Sequence, residues 1–147
     1  MSVEENKAIV HRFVAELWNA ENPDAFDELV AADFISHNST LGEEALGREG
    51  LKQAINDFQT ALSGFKLNIE DMIAEGDKVV IRGVQRGTHA SEIAGVPATG
   101  KENTATWIVI LRIEDSKVVE RWVNWDELGF MKQLGTIPPT GESEKDR

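Results

Sequence analysis

The sequence predicts a single α+β domain, and three observations carry that prediction. Apolar residues recur at helical spacing up to about Leu62, and after Gly64 the period drops from 3.6 to 2. Turn signals cut the alternating half into strands, and one short helical run follows the last of them. Helices, then strands, then a helix is an order in which one antiparallel sheet covers its apolar face with the helices. A chain of 147 residues fits one such domain, large enough to bury about 70% of its unfolded surface without a staple.

Ser2 and Glu5 form an S-x-x-E capping box that opens the first helix, whose apolar stripe is Ile9, Val10, Phe13, Val14, Leu17 and Trp18. Asn22 followed by Pro23 predicts a second N-cap with proline in the first turn, and Phe26, Leu29 and Val30 form the buried side of that short helix. Asp33 to Asn38 reads as a short extended segment, followed by a polar loop to about Gly47. A third helix runs from about Arg48 to Leu62, with Leu51, Ile55, Phe58 and Leu62 inward. Phe65, Leu67 and Ile69 then alternate with polar residues, and Glu75-Gly76-Asp77 turns the chain into Lys78 to His89. Asp71 continues the apolar parity of that strand, and a twist or bulge is expected to turn it into solvent. Ala90 to Lys101 is a loop; Thr104 to Ile113 and Lys117 to Trp125 are strands joined at Asp115-Ser116. The last helix spans about Asp126 to Leu134 and stops at Gly135, so the domain covers residues 1–135 and 136–147 form a polar tail.

The 26 acidic and 15 basic residues leave a net charge of −11. That field repels phosphate backbones and anionic lipid, which argues against nucleic acid as a partner. Apolar runs such as Trp107 to Leu111 are far shorter than the ~20 residues of a membrane helix. The acidic N-terminus lacks the basic and apolar regions of a signal peptide. A cytoplasmic protein without membrane contact is expected. With no cysteine there is no disulfide, thiolate metal site or cysteine nucleophile. His11, His37 and His89 lack metal-ligand spacing, and no phosphate or dinucleotide loop occurs, so neither metal nor cofactor is expected.

Four segments carry a likeness: D-F-I-S-H-N at 33–38, G-R-E-G-L at 47–51, R-G-T-H…G-V-P-A-T-G-K at 86–101, and W-D-E-L-G-F-M-K-Q-L-G at 125–135. In this order they resemble the SnoaL-like polyketide cyclases, an ester cyclase branch of the nuclear-transport-factor-2-like superfamily, over about residues 3–135. The resemblance implies a cone: three N-terminal helices packed on a curved antiparallel sheet, a short C-terminal helix, and an apolar pocket for a hydrophobic small molecule. It also implies a homodimer packed through the outer sheet face. Ser91 and Ala98 stand where the family pattern has Gly and Pro.

Chemistry in this superfamily is proton abstraction beside a carbonyl or activation of a water. Both need a carboxylate or histidine poised near neutral pH, and an enolate also needs a donor or cation at its oxygen. Asp126 ends the last strand beside Trp122 and Trp125 and is a candidate base; it is equally a good N-cap for the helix that follows. His37 and His89 end strands, where a proton relay and a backbone-bonded structural role are both open. Arg82 interrupts an apolar strand, either as an oxyanion partner or as an outer-face residue paired with an acid. Trp107, Val109, Trp122, Val123 and Trp125 are candidate pocket walls, with Trp122 and Trp125 on opposite faces unless a bulge intervenes.

The resemblance also marks departures. Characterised aldol cyclases of the family pair an Asp on the last strand with a His on the strand before, and ungapped counting from Q-L-G puts Val123 and Val109 there. No tyrosine exists for a tyrosine oxyanion hole, and Val84 stands where an epoxide-hydrolase pattern places a second carboxylate near Arg82. Two readings stand: a cofactor-independent cyclase, lyase or isomerase acting on a hydrophobic carbonyl compound, with Asp126 or His37 as base and Arg82 or His89 as polar partner; or a binding protein of the same fold.

Overall fold

The computed structural model describes residues 1–38 and 46–136. Most of the expected polar loop before Gly47 and nearly all of the expected tail lie outside the described residues. The capping box forms as the sequence predicts: Ser2 Oγ accepts from the Glu5 N–H, and Glu5 Oε1 accepts from the Ser2 N–H. It opens α1 (Val3–Arg12), which continues through a π-helical stretch at Phe13–Trp18. The wider turn, with the Asn19 N–H reaching back to the Val14 carbonyl, buries Phe13, Val14, Leu17 and Trp18 together. Asn22 does not cap the next turn as expected; its Nδ2 donates to Glu16 Oε1. Pro23–Ala25 forms a 3₁₀ turn leading into α2 (Phe26–Leu29).

The sheet holds more than the expected four antiparallel strands. Its order is β2-β1-β6-β5-β4-β3, formed by β1 (Val30–Asn38), β2 (Leu46–Gly47), β3 (Leu62–Glu75), β4 (Lys78–His89), β5 (Glu102–Glu114) and β6 (Lys117–Trp125). The strand β1 joins β6 in parallel, while the other pairings are antiparallel. Its role was hard to read from sequence because its alternation is inverted at one step: Ser36 is buried and Ile35 is exposed. Between β2 and β3, α3 (Arg48–Ala61) lays Leu51, Ile55 and Ala61 against the core. After β6, α4 (Glu127–Leu134) stops at Gly135, whose φ of 88° is the left-handed conformation expected at a helix end. No helix among the described residues is long and apolar enough to cross a membrane.

Bulges decide which side chains look inward. In β3 the register shifts between Ile69 and Asp71, and Asp71 turns to solvent. In β6 the register shifts where Ile113 pairs with Val118 and Arg112 with Glu120. Strict alternation from buried Val118 would send Glu120 and Trp122 inward. The extra residue reverses the parity, so Arg121, Val123 and Trp125 face the core instead. One inserted residue therefore sets which polar group the interior receives.

Candidate functional site

A cavity of about 110 Å³ lies between the inner face of the sheet and the helices. Its floor is Ile81 and Gln85 of β4, Trp107 and Val109 of β5, and Arg121, Val123 and Trp125 of β6. Phe13, Val14 and Trp18 from the first helical segment, with Ala54 and Phe58 from α3, form the opposite wall. Phe58 ties the wall to the floor: its ring lies 5.9 Å from Trp125, 6.2 Å from Trp18 and 5.5 Å from Phe65. Such stacked and edge contacts hold a rigid aromatic frame.

Arg121 is the charged group of this lining. Its Nη1 donates to Ser36 Oγ at 3.1 Å, and its Cζ sits 5.3 Å from the ring centroid of Trp18. Ser36 is itself buried and stands beside Arg121 in the β1–β6 register. Among the described residues no carboxylate forms an ion pair with Arg121. Desolvation by the surrounding apolar walls pushes its pKa down to about 10. A cation held this way favours any anion that enters.

The residues expected to carry acid–base chemistry are not brought together here. Asp126 is exposed and caps α4, its Oδ1 accepting from the Gly129 N–H at 2.9 Å. A Cβ on Gly129 would fall 2.1 Å from Asp126 Oδ2, so glycine at 129 is what gives the carboxylate room to cap. His37 projects from the outer face, where its Nε2 lies 2.7 Å from Glu120 Oε2 and its ring stacks on Trp122 at 5.5 Å. Arg82 lies on the outer face with Asp71 and Glu70. Two carboxylates do flank an arginine in this chain, but outside the cavity. His89 is fully buried at the end of β4, and its Nδ1 meets the N–H and the hydroxyl of Thr99. It is not part of the cavity lining.

Of the expected walls, Trp107, Val109, Val123 and Trp125 line the cavity, and Trp122 faces outward with His37. Val109 and Val123 are direct partners across β5 and β6, so the rung where the resemblance expects an acid–base pair is wholly apolar. No Asp, Glu or His occurs in the lining among the described residues. Sequence reasoning missed Arg121 and Gln85. The signal for Arg121 was present: it stands two residues before Val123 on one strand, so any reading that turns Val123 inward turns Arg121 inward too.

The pattern of the SnoaL-like polyketide cyclases matches residues 8–134. The chain belongs to that family. It is 28% identical over 137 residues to the aklanonic acid methyl ester cyclase DnrD of Streptomyces peucetius, covering 91% of this chain and 93% of the cyclase. Its fold matches AclR, a hydroxylase candidate from Streptomyces galilaeus, with a TM-score of 0.84 at 25% identity over 94% of this chain and 89% of that one. It also matches IdmH, a candidate polyketide cyclase from Streptomyces antibioticus, with a TM-score of 0.77 at 28% identity over 88% of this chain and 98% of that one. The α+β cone expected from the four motifs is therefore the fold of this family member, with helices on one face of an open, curved sheet. Its relatives carry different descriptions on one architecture, so function has to be argued from the cavity.

Proposed function

We propose that this SnoaL-like protein is a cyclase-type catalyst that binds a hydrophobic carbonyl compound in the cavity and stabilises its enolate against Arg121. The observation that carries this reading is a guanidinium set in apolar walls with no carboxylate partner among the described residues. The description of DnrD as an ester cyclase supports a carbonyl substrate of the polyketide type. A carbon between two carbonyls loses its proton to solvent, and the negative charge moves to an oxygen held by Arg121. The enolate carbon then attacks a third carbonyl elsewhere in the same molecule, and the resulting alkoxide takes a proton back from solvent. One carbon–carbon bond forms and no atom is lost, so the net reaction is an isomerisation that closes a ring. Preorganised donors in a site of low polarity stabilise such an oxyanion without reorganisation. In this mechanism the protein supplies the electrostatic part, and Asp126 and His37 serve the helix end and the outer face.

Benzoylacetone, an aryl 1,3-diketone whose enolate absorbs in the near ultraviolet, tests the proposal. Bound to the wild-type protein it is expected to ionise about one pH unit or more below its value in water, and Arg121→Met is expected to abolish the shift. A bound diketone that titrates as it does in water overturns the catalytic reading. It would leave simple ligand binding, the reading that the apolar Val109–Val123 rung favours.

A further inference from the structure

We infer that Ser36 is the positioning residue for the cation of the cavity, a neutral hydroxyl that fixes the Arg121 guanidinium and leaves its charge for an anion. This rests on the reading of Arg121 above and names the residue that keeps the charge available. Ser36 is 1% exposed and is not part of the cavity lining. It therefore acts through Arg121, whose Nη1 donates to Ser36 Oγ at 3.1 Å.

The strand register shows how this partner is selected. In the parallel pair of β1 and β6, Val30 stands opposite Val118, and the next partners are Ile35 and Glu120. The register shifts between them, because β1 advances from 30 to 35 while β6 advances only from 118 to 120. Continued without that shift, the pairing would set Asp33 opposite Arg121. With it, Ser36 takes the place and Asp33 is exposed. A carboxylate opposite Arg121 would take the planar fork in a bidentate pair and neutralise it. A hydroxyl oxygen carries no charge and fixes the fork through one N–H, so the charge remains for a ligand. The ring of Trp18, 5.3 Å from Arg121 Cζ, covers the group and is neutral too. Irregularities of this kind re-aim side chains and recur next to active sites. The one before β6 turns Arg121 inward, and the one in β1 meets it with a serine. A buried hydroxyl without a partner destabilises a fold; at position 36 the partner is the cation itself.

NMR titration at pH 7 with isobutyrate and with its isosteric neutral amide, isobutyramide, tests this. Both are small enough for a cavity of about 110 Å³. Wild-type protein is expected to prefer isobutyrate by about tenfold or more, and Arg121→Met to abolish the preference. Ser36→Asp supplies the carboxylate that the register avoids and is expected to abolish it as well. Ser36→Ala should reduce the preference about fivefold, and Ser36→Thr, which keeps the hydroxyl, should restore it. Each variant is judged by its own ratio of the two affinities, so a general loss of folding, which weakens both ligands, does not imitate the effect. A wild-type ratio in Ser36→Ala or in Ser36→Asp overturns the assignment to Ser36. If Ser36→Asp fails to fold, Ser36→Ala decides alone. A preference that needs Arg121 and not Ser36 leaves the reading of Arg121 standing and sinks this one. If wild type shows no preference, or Arg121→Met keeps it, the reading of Arg121 falls first and this inference falls with it.

Discussion

On the outer face of the sheet, Arg82 lies between Glu70 and Asp71, and Arg112 between Glu114 and Glu120. On the inner face, Arg121 has a serine hydroxyl and a tryptophan ring. The same side chain is thus held in opposite ways on the two faces of one sheet. Hydrogen bonds donated to Asp71 and to Glu120 raise the pKa values of Arg82 and Arg112, whereas desolvation lowers that of Arg121. The outer arginines are neutralised in a solvated network that contributes little to stability. The inner one keeps its charge at a cost to the fold. That cost is what singles Arg121 out for the role proposed above.

The largest test breaks the inner face by shape. A Cβ at Gly83 would meet the Asn68 carbonyl oxygen at 2.0 Å as well as the Trp107 ring. Gly83→Ala is expected to destabilise the protein by about 3 kcal/mol, read by urea denaturation.

Charge comes next. Arg121→Met should weaken isobutyrate by ten- to a hundredfold and at the same time raise stability by about 1 kcal/mol. Arg82→Met, on the solvated face, should change neither appreciably. The sign of the pH effect follows from the direction of the shift. A base whose folded pKa is depressed penalises the fold while it is charged, and the penalty is relieved as pH rises through about 10. Affinity for the anion should therefore hold from pH 7 to 9 and fall above 10 in wild type, with a flat profile in Arg121→Met. Equal behaviour of Arg121→Met and Arg82→Met would erase the distinction between the two faces.

These residues also show how much was legible in the sequence. Periodicity located the helices and the long strands, because each carries its apolar stripe over several turns or rungs. The parallel pairing of β1 was not legible, since a nine-residue strand with buried Ser36 and exposed Ile35 gives a poor alternation signal. Motifs led to the family, and the apolar Val109–Val123 rung followed from counting. The polar site did not. Arg82 stood out because it broke an apolar run, yet that run faces outward at every second residue. Arg121 sat in the mixed stretch Glu120-Arg121-Trp122, and a bulge near Val119, invisible to composition, decided which of the three turned inward. Asp126 read first as a cap and second as a base, and the hydrogen bond it accepts from the Gly129 N–H makes it the cap.

The cap gives a smaller test. Asp126→Ala removes the acceptor for the Gly129 N–H and should cost about 1 kcal/mol, while Asp126→Asn, which can still cap, should cost little. Neither change should affect ligand affinity, because Asp126 lies outside the cavity. A hundredfold loss of turnover in Asp126→Asn with stability intact would return Asp126 to the chemistry.

The smallest effect belongs to the outer face and sharpens the contrast by its sign. The His37 hydrogen bond, followed by that from Arg112, holds the pKa of Glu120 below the usual glutamate range. A carboxylate depressed in the folded state contributes stability that is present above its unfolded pKa and is lost as pH falls through the folded one. His37→Ala removes the larger cause and leaves Arg112, so the Glu120 transition should move upward, toward but not reaching an ordinary glutamate. Carboxyl NMR of Glu120 reads that shift directly, and acid unfolding should begin at slightly higher pH in the variant. Affinity for isobutyrate at pH 7 should be unchanged, because the sheet separates this network from the cavity. If His37→Ala weakened the anion as much as Arg121→Met does, the two faces would be coupled through the β1–β6 pairing that joins Ser36 to Arg121 and His37 to Trp122. The outer histidine would then be a positioning residue for the inner arginine.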